Sequence, residues 1–403
     1  MMDDILFLAH RIPFPPDRGD KMRSWHMLRH LAGLGRVHLA CFADDEADAA
    51  HLGALRAALG GRLGSAHVEV RHANKLVAGL RALATGAPAS LTLFDSKRMR
   101  RFVNGVMARE SIGTVFAFSS QMAQFVPAGP RFVMDFVDMD SAKFADYART
   151  GGAKAWLFRR EAERLFTFER ATAARADASL FVSEAEAALF RDKAGLSQAD
   201  IRAVGNGIDL TFYDPAANFS RLEPTPGPLI VFTGQMDYRP NVEAVAHFAA
   251  TALPRIRAVR PDARFAIVGR NPASAVRELA SRDGVVVTGA VDDVRSWLGA
   301  ADVVVAPLRV ARGIQNKVLE AMAMGKPVVA SQPAFEGIEA LPGRDLLVAD
   351  DPVEAVTALL ADPDRRADMG AAARRRMEFA YRWEARLAPL TEMLRGAERQ
   401  AAE

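Results

Sequence analysis

Lys317 and Glu320 stand three positions apart and pair a cation suited to phosphate with a carboxylate suited to sugar hydroxyls. They belong to the run Arg312-Gly313-Ile314-Gln315-Asn316-Lys317-Val318-Leu319-Glu320, which continues through Gly325 to Val328-Val329-Ala330. The pattern reads as a glycine-opened loop, a short helix, a glycine stop and a buried strand. A helix starting at Gly313 or Ile314 turns its free N–H groups toward the loop, an arrangement that suits a diphosphate. Residues three apart share a helix face, so Lys317 and Glu320 would act near that end. Taken alone, a K-x-x-E pair is more simply a charged couple on a solvated face. It is the company it keeps that favours chemistry.

Two further strand-end loops belong to the same half of the chain. One holds Gly234 and Arg239, the other Arg270, each arginine a candidate for phosphate. Gly234 permits a tight turn or a close ligand approach. Near the amino terminus, Gly19, Asp20 and Lys21 sit at an expected helix start, where Gly19 would let a substrate approach and Asp20 could equally be a helix cap. Asp138-Met139-Asp140 resembles an aspartate pair that holds a divalent ion on a diphosphate. Two doubly wound halves argue against that role, and no metal is expected.

Other chemistries lack their residues. The chain has no G-x-S-x-G, no H-E-x-x-H and no Walker loop, and its eight histidines show no metal-ligand spacing. Gly205-Asn206-Gly207 has no preceding strand of the right kind for a dinucleotide fingerprint. With 52 basic and 49 acidic residues, nucleic-acid binding does not follow from charge. The single cysteine, Cys41, in an apolar run, reads as a small buried residue, and a cytoplasmic location is expected. No run is apolar enough to span a bilayer. The helix around 156–170 mixes aromatic and basic residues; a packed helix is the simpler reading, and a peripheral contact at the membrane's inner face is the other.

These residues need a scaffold. At 403 residues two domains are expected. Short apolar runs at 5–9, 37–42, 114–118, 131–136 and 178–182 alternate with helical patterns, and 66–70 is strand-like. The proline-rich stretch 214–228 reads as a linker. After it, runs at 229–232, 265–268, 285–288, 303–306, 328–330 and 346–348 open a second series. This alternation predicts an α/β chain of two doubly wound parallel sheets. The domains are placed at 1–205 and 206–378, with a tail helix at about 379–403 returning to the first. Ligands of such sheets gather beyond the carboxyl ends of the strands.

In order along the chain, the first-strand loop to Gly19, Val182-Ser183-Glu184, Asn206-Gly207-Ile208-Asp209, Phe232-Thr233-Gly234, Val287-Thr288-Gly289 and the run from Lys317 to Val329 resemble family 4 retaining glycosyltransferases. The resemblance covers nearly the whole chain. Met236-Asp237-Tyr238-Arg239-Pro240-Asn241 and Arg312 to Lys317 are similar to the exosortase/PEP-CTERM-associated subgroup. It implies the GT-B fold, two Rossmann-like domains facing across a cleft. The second would bind a nucleoside-diphosphate sugar through Gly234, Arg239, Arg270, Gly313, Ile314, Gln315, Asn316, Lys317 and Glu320. The first would take a saccharide or lipid-linked acceptor near Gly19, Asp20, Lys21 and Asp138, in envelope or exopolysaccharide assembly. Arg312, Lys317 and Glu320 would carry catalysis, with no cofactor required. Glu320 matches the second Glu of the family's Glu-x7-Glu pattern, while Arg312 stands where the first is usual. A catalytically silent GT-B protein is the alternative.

Overall fold

The computed structural model describes residues 3–16, 18–71, 75–149, 151, 155–223, 226–311 and 313–401. Contacts divide it into two units: Met1–Gly205 with Leu387–Glu403, and Asn206–Arg386.

The first unit is built on seven parallel strands: β1 (Asp4–Ala9), β2 (Val37–Ala43), β3 (Leu63–Val70), β4 (Ile112–Phe118), β5 (Arg131–Val137), β6 (Ala178–Phe181) and β7 (Ile201–Ala203). Their order is β3-β2-β1-β4-β5-β6-β7. Ile5 to Ala9 on β1 and all of β2 are buried, as expected of strands covered on both faces. Chain order reverses between β1 and β4, so their carboxyl-end loops form a topological switch point.

The second unit repeats the plan with β8 (Leu229–Thr233), β9 (Arg264–Val268), β10 (Val285–Gly289), β11 (Val303–Ala306), β12 (Val328–Ala330) and β13 (Leu347–Val348). Its order, β10-β9-β8-β11-β12-β13, places the switch between β8 and β11. One continuous apolar core, from Ile208 to Tyr381, surrounds this sheet.

Several expected boundaries shift. The first helix runs Gly19–Leu34, with Gly19, Asp20 and Lys21 in its first turn. The short strand β7 does precede Gly205-Asn206-Gly207, but no helix follows it, so the dinucleotide fingerprint is still lacking. The described part of 214–228, expected to be a linker, belongs to the second unit, and the division falls at Gly205/Asn206. Tyr213, 6% exposed, anchors that segment to the second core. The carboxyl-terminal crossing falls inside the helix Trp383–Ala401, after Arg386. From Leu387 on, this helix belongs to the first unit, where Thr391 Oγ1 lies 2.6 Å from His30 Nε2.

Candidate active site

In the second unit, the ends of β8 and β9 are drawn together by glycines. The Gly234 N–H donates to the Val268 carbonyl at 3.0 Å, and the Met236 N–H donates to that of Arg270 at 2.9 Å. Gly234 and Gly269 adopt φ of 156° and 154°, where L side chains are strained. A Cβ on Gly234 would lie 2.8 Å from Asn241 Nδ2 and 3.2 Å from Lys317 Nζ. The missing side chain therefore opens the space into which these polar groups point.

Lys317 rises from the helix Asn316–Ala323, which starts on the β11 side of the switch point. Its ammonium lies 2.5 Å from Asn241 Oδ1 and 4.3 Å from the centroid of the Phe232 ring. Asn241 is itself oriented, donating to the Gln235 carbonyl at 2.9 Å. Burial pushes the Lys317 amine down to about 7, with Glu320 opposing the shift. Glu320, one turn on, is hydrogen-bonded to the Tyr213 hydroxyl. Burial raises the Glu320 carboxyl, while Tyr213 and Lys317 work to lower it. A cation with reduced hydration beside glycine-lined space is suited to an incoming diphosphate, which restores the charge that burial disfavours.

The residues leading into that helix are also placed. Gly313 has φ 65°, and its carbonyl accepts from Gln315 Nε2 at 3.1 Å. Gln315 is the N-cap but supplies no side-chain cap; its carbonyl accepts from the Val318 N–H at 2.9 Å, and among the described residues no side chain caps the N–H groups of Asn316 and Lys317. Ile314 is half-buried and packs against the core. Arg312 lies outside the described residues. Arg239 and Arg270 are not drawn in: Arg239 is exposed and paired with Glu243 at 2.7 Å, and Arg270 is exposed. Thr233 Oγ1, at the end of β8, is buried without a hydrogen-bond partner among the described residues.

In the first unit, Gly19 is exposed at the start of its helix. Asp20 does not cap that helix; the N-cap is Arg18, with no side-chain bond. Asp20 instead accepts from Arg11 Nη1 at 2.5 Å and lies 3.4 Å from His10 Nε2. Lys21 is 2% exposed and pairs with Asp48 at 2.5 Å, which makes it a strut rather than a substrate contact. Asp138 and Asp140 share the Lys143 ammonium at 2.9 and 3.1 Å. A fixed cation thus already occupies the position a divalent ion would need between that pair.

Ser119 and Val137, at the ends of β4 and β5, take φ of 76° and 70°. For a β-branched residue this conformation costs on the order of 1–3 kcal/mol, and such strain clusters at functional edges.

At the opposite edge, Asp4, His38 and Glu110 come within metal-ligand reach of one another. The Ser65 N–H donates to His38 Nδ1 at 3.1 Å, so Nε2 carries the proton and donates to Asp4 at 2.9 Å. A ring engaged at both nitrogens has no lone pair left for an ion.

Asn241, Tyr213 and Phe232 complete the second-unit site without being legible as site residues. Phe232 and Asn241 left a signal only as members of the β8 strand end and its loop, and Tyr213 left none.

Residues 227–362 match the family described as "Glycosyl transferases group 1". A phosphatidyl-myo-inositol mannosyltransferase of Propionibacterium freudenreichii is 34% identical over 160 residues, 39% of either chain. A Mycobacterium tuberculosis enzyme named as a GDP-mannose-dependent alpha-(1-6)-phosphatidylinositol monomannoside mannosyltransferase is 31% identical over 225 residues, 48% of this chain and 58% of that one. The chain thus spans between about two fifths and three fifths of the length of these relatives. Among solved structures, sucrose-phosphate synthase of Thermosynechococcus elongatus superposes over 100% of both chains with TM-score 0.69 at 18% identity. A protein of Anabaena in complex with UDP-glucose superposes over 98% of this chain and 100% of its own, with TM-score 0.63 at 15% identity. The fold is that of the GT-B glycosyltransferases.

Proposed function

From the glycosyl transferases group 1 domain in the second unit, we propose that the chain is a retaining glycosyltransferase. It moves a sugar from a nucleoside diphosphate to a saccharide or lipid-linked acceptor. The observation that carries this reading is Lys317, partly desolvated on Phe232 and Asn241, one helical turn from Glu320. The diphosphate lies at the uncapped start of the helix Asn316–Ala323, where Lys317 and the free N–H groups stabilise the charge that develops as the sugar–phosphate bond breaks. Glu320, held by Tyr213, accepts from ribose hydroxyls. The leaving diphosphate takes the acceptor's proton, so the reaction requires no protein base and no metal.

Relatives named for lipid-linked acceptors support a role in envelope or exopolysaccharide assembly. Exposed Trp156 and Leu157, next to Arg159 at the start of the helix Ala155–Arg175, support a peripheral contact with the membrane's inner face. Among the described residues, no helix is long and apolar enough to cross a membrane.

A thermal-shift screen against UDP-, GDP-, ADP- and dTDP-sugars tests the reading. A ligand at 100 times its Kd stabilises the fold by about 2.7 kcal/mol. A selective hit that Glu320→Ala abolishes, with folding intact, supports the site; unchanged binding in that variant refutes it. Transfer of radiolabelled sugar from the selected donor then separates an enzyme from a silent binder.

A further inference from the structure

Three guanidinium groups converge on one carboxylate at the carboxyl edge of the first sheet. Arg11 Nε lies 3.0 Å from Asp44 Oδ2, Arg18 Nη2 3.0 Å from the same oxygen, and Arg71 Nη2 3.0 Å from Oδ1. Arg11 and Arg71 follow β1 and β3, Asp44 follows β2, and Arg18 is the N-cap of the helix Gly19–Leu34. We propose that Arg11, Arg18 and Arg71 form an oxyanion subsite that grips a phosphate group of the acceptor.

The charge count favours an anion. Asp44 and Asp20 offset two of the three guanidiniums and leave one in excess, with His10 beside Asp20. One arginine suffices to neutralise one carboxylate. The others add mutual repulsion, while partly exposed ion pairs contribute little to a fold. An oxyanion among the three relieves that repulsion.

The donors are available too. Arg18 and Arg71 each spend one terminal nitrogen on Asp44, leaving Nε and Nη1 without a protein acceptor among the described residues. These are the groups that hold phosphate oxygens in pairs. The three side chains are 27% to 35% exposed, open to a ligand yet partly shielded from water. The Arg71 guanidinium is fixed 4.8 Å over the Phe94 ring. His10, stacked on Phe118, keeps Nδ1 buried and without a partner among the described residues at the same strand end.

Lys21–Asp48, nearby, supplies the contrast: its ammonium and carboxylate are both nearly buried, as a structural pair requires. Assigning the phosphate to the acceptor rests on the transferase reading; the subsite itself does not.

The test uses the full chain without nucleotide. Calorimetry measures binding of inorganic phosphate and glycerol 3-phosphate. Flotation measures binding to phosphatidylcholine vesicles with and without a fifth of phosphatidylglycerol. Arg18→Gln and Arg71→Gln should each weaken phosphate binding at least tenfold, and Asp44→Asn, which releases the guanidiniums, should tighten it. Binding of the soluble phosphates identifies a soluble phosphorylated acceptor. Binding of the anionic vesicles alone, lost in both arginine variants, identifies a lipid headgroup. Binding of neither, or binding that both arginine variants leave unchanged, overturns the proposal. Failure of every nucleotide sugar to bind at Lys317 would remove the transferase reading and leave this result standing.

Discussion

A side chain on Gly269 would place its β-carbon 1.6 Å from the carbonyl oxygen of Gly234. The two strand-end loops of the second unit are therefore in backbone contact, and neither can retreat without losing the bonds that tie β8 to β9. Gly269→Ala should destabilise the chain by more than about 2 kcal/mol, since a backbone must move and φ becomes strained. The loss would appear as a lower urea midpoint. A variant as stable as the parent would show that these loops are not locked together.

Lys317 predicts a pH dependence. Its amine titrates at about 7, and a nucleoside-diphosphate sugar has no diphosphate group titrating there. Donor affinity should fall as pH rises through about 7, approaching tenfold per unit, and Lys317→Met should flatten that profile at low affinity. Calorimetry between pH 6 and pH 9 reads both effects.

Stability should move the other way. The unfolded chain keeps this proton up to the ordinary lysine value of 10.5, so the folded state binds fewer protons between about 7 and that value. The Lys317 contribution therefore makes stability rise with pH across that window. Lys317→Met should remove this slope and raise Tm at neutral pH, where the native residue is penalised. A melting curve with the same pH slope in both proteins would contradict the burial assigned to the amine.

Tyr213 acts through Glu320. Burial raises the Glu320 carboxyl, and the tyrosine hydroxyl and Lys317 oppose it. Removing the hydroxyl with Tyr213→Phe should weaken donor binding about tenfold, the scale of one hydrogen bond to a charged group. The acid limb of the binding profile should also move to higher pH. An unshifted profile would reduce Tyr213 to packing.

Arg23 and Asp135 form a pair that is 1% and 0% exposed, with Arg23 Nη1 donating to the Val204 carbonyl at 2.7 Å. Arg23→Met should cost about 3–5 kcal/mol by stranding a buried carboxylate. Adding Asp135→Leu should restore much of that, as measured by urea denaturation. Additive losses would show that the two residues do not depend on one another.

The buried strands were legible because parallel strands covered on both faces leave runs such as Ile5 to Ala9 or Leu229 to Phe232. β7 was not, since Ile201-Arg202-Ala203 is too short to form such a run. Prolines marked 214–228 as a linker, yet the buried ring of Tyr213 ties this stretch to the second core. At the site, Lys317 and Glu320 could be read together because helix geometry relates them. Asn241, Phe232 and Tyr213 could not, for they reach the pair from other elements. The same holds for Arg11, Asp44 and Arg71, which three separate strands bring together.

The helix Trp383–Ala401 begins in one unit and continues in the other, so the first unit is assembled from both ends of the chain. During synthesis its sheet can emerge early, but its surface is incomplete until the segment from Leu387 leaves the ribosome. Leu387, Leu390 and Leu394 are buried, and without them the waiting first unit presents an open apolar patch. The second unit lies between the two parts in the sequence, so the tail can join the first unit only after all of the second has been made. Late truncations should accordingly impair the amino-terminal half more than the unit in which they appear to lie.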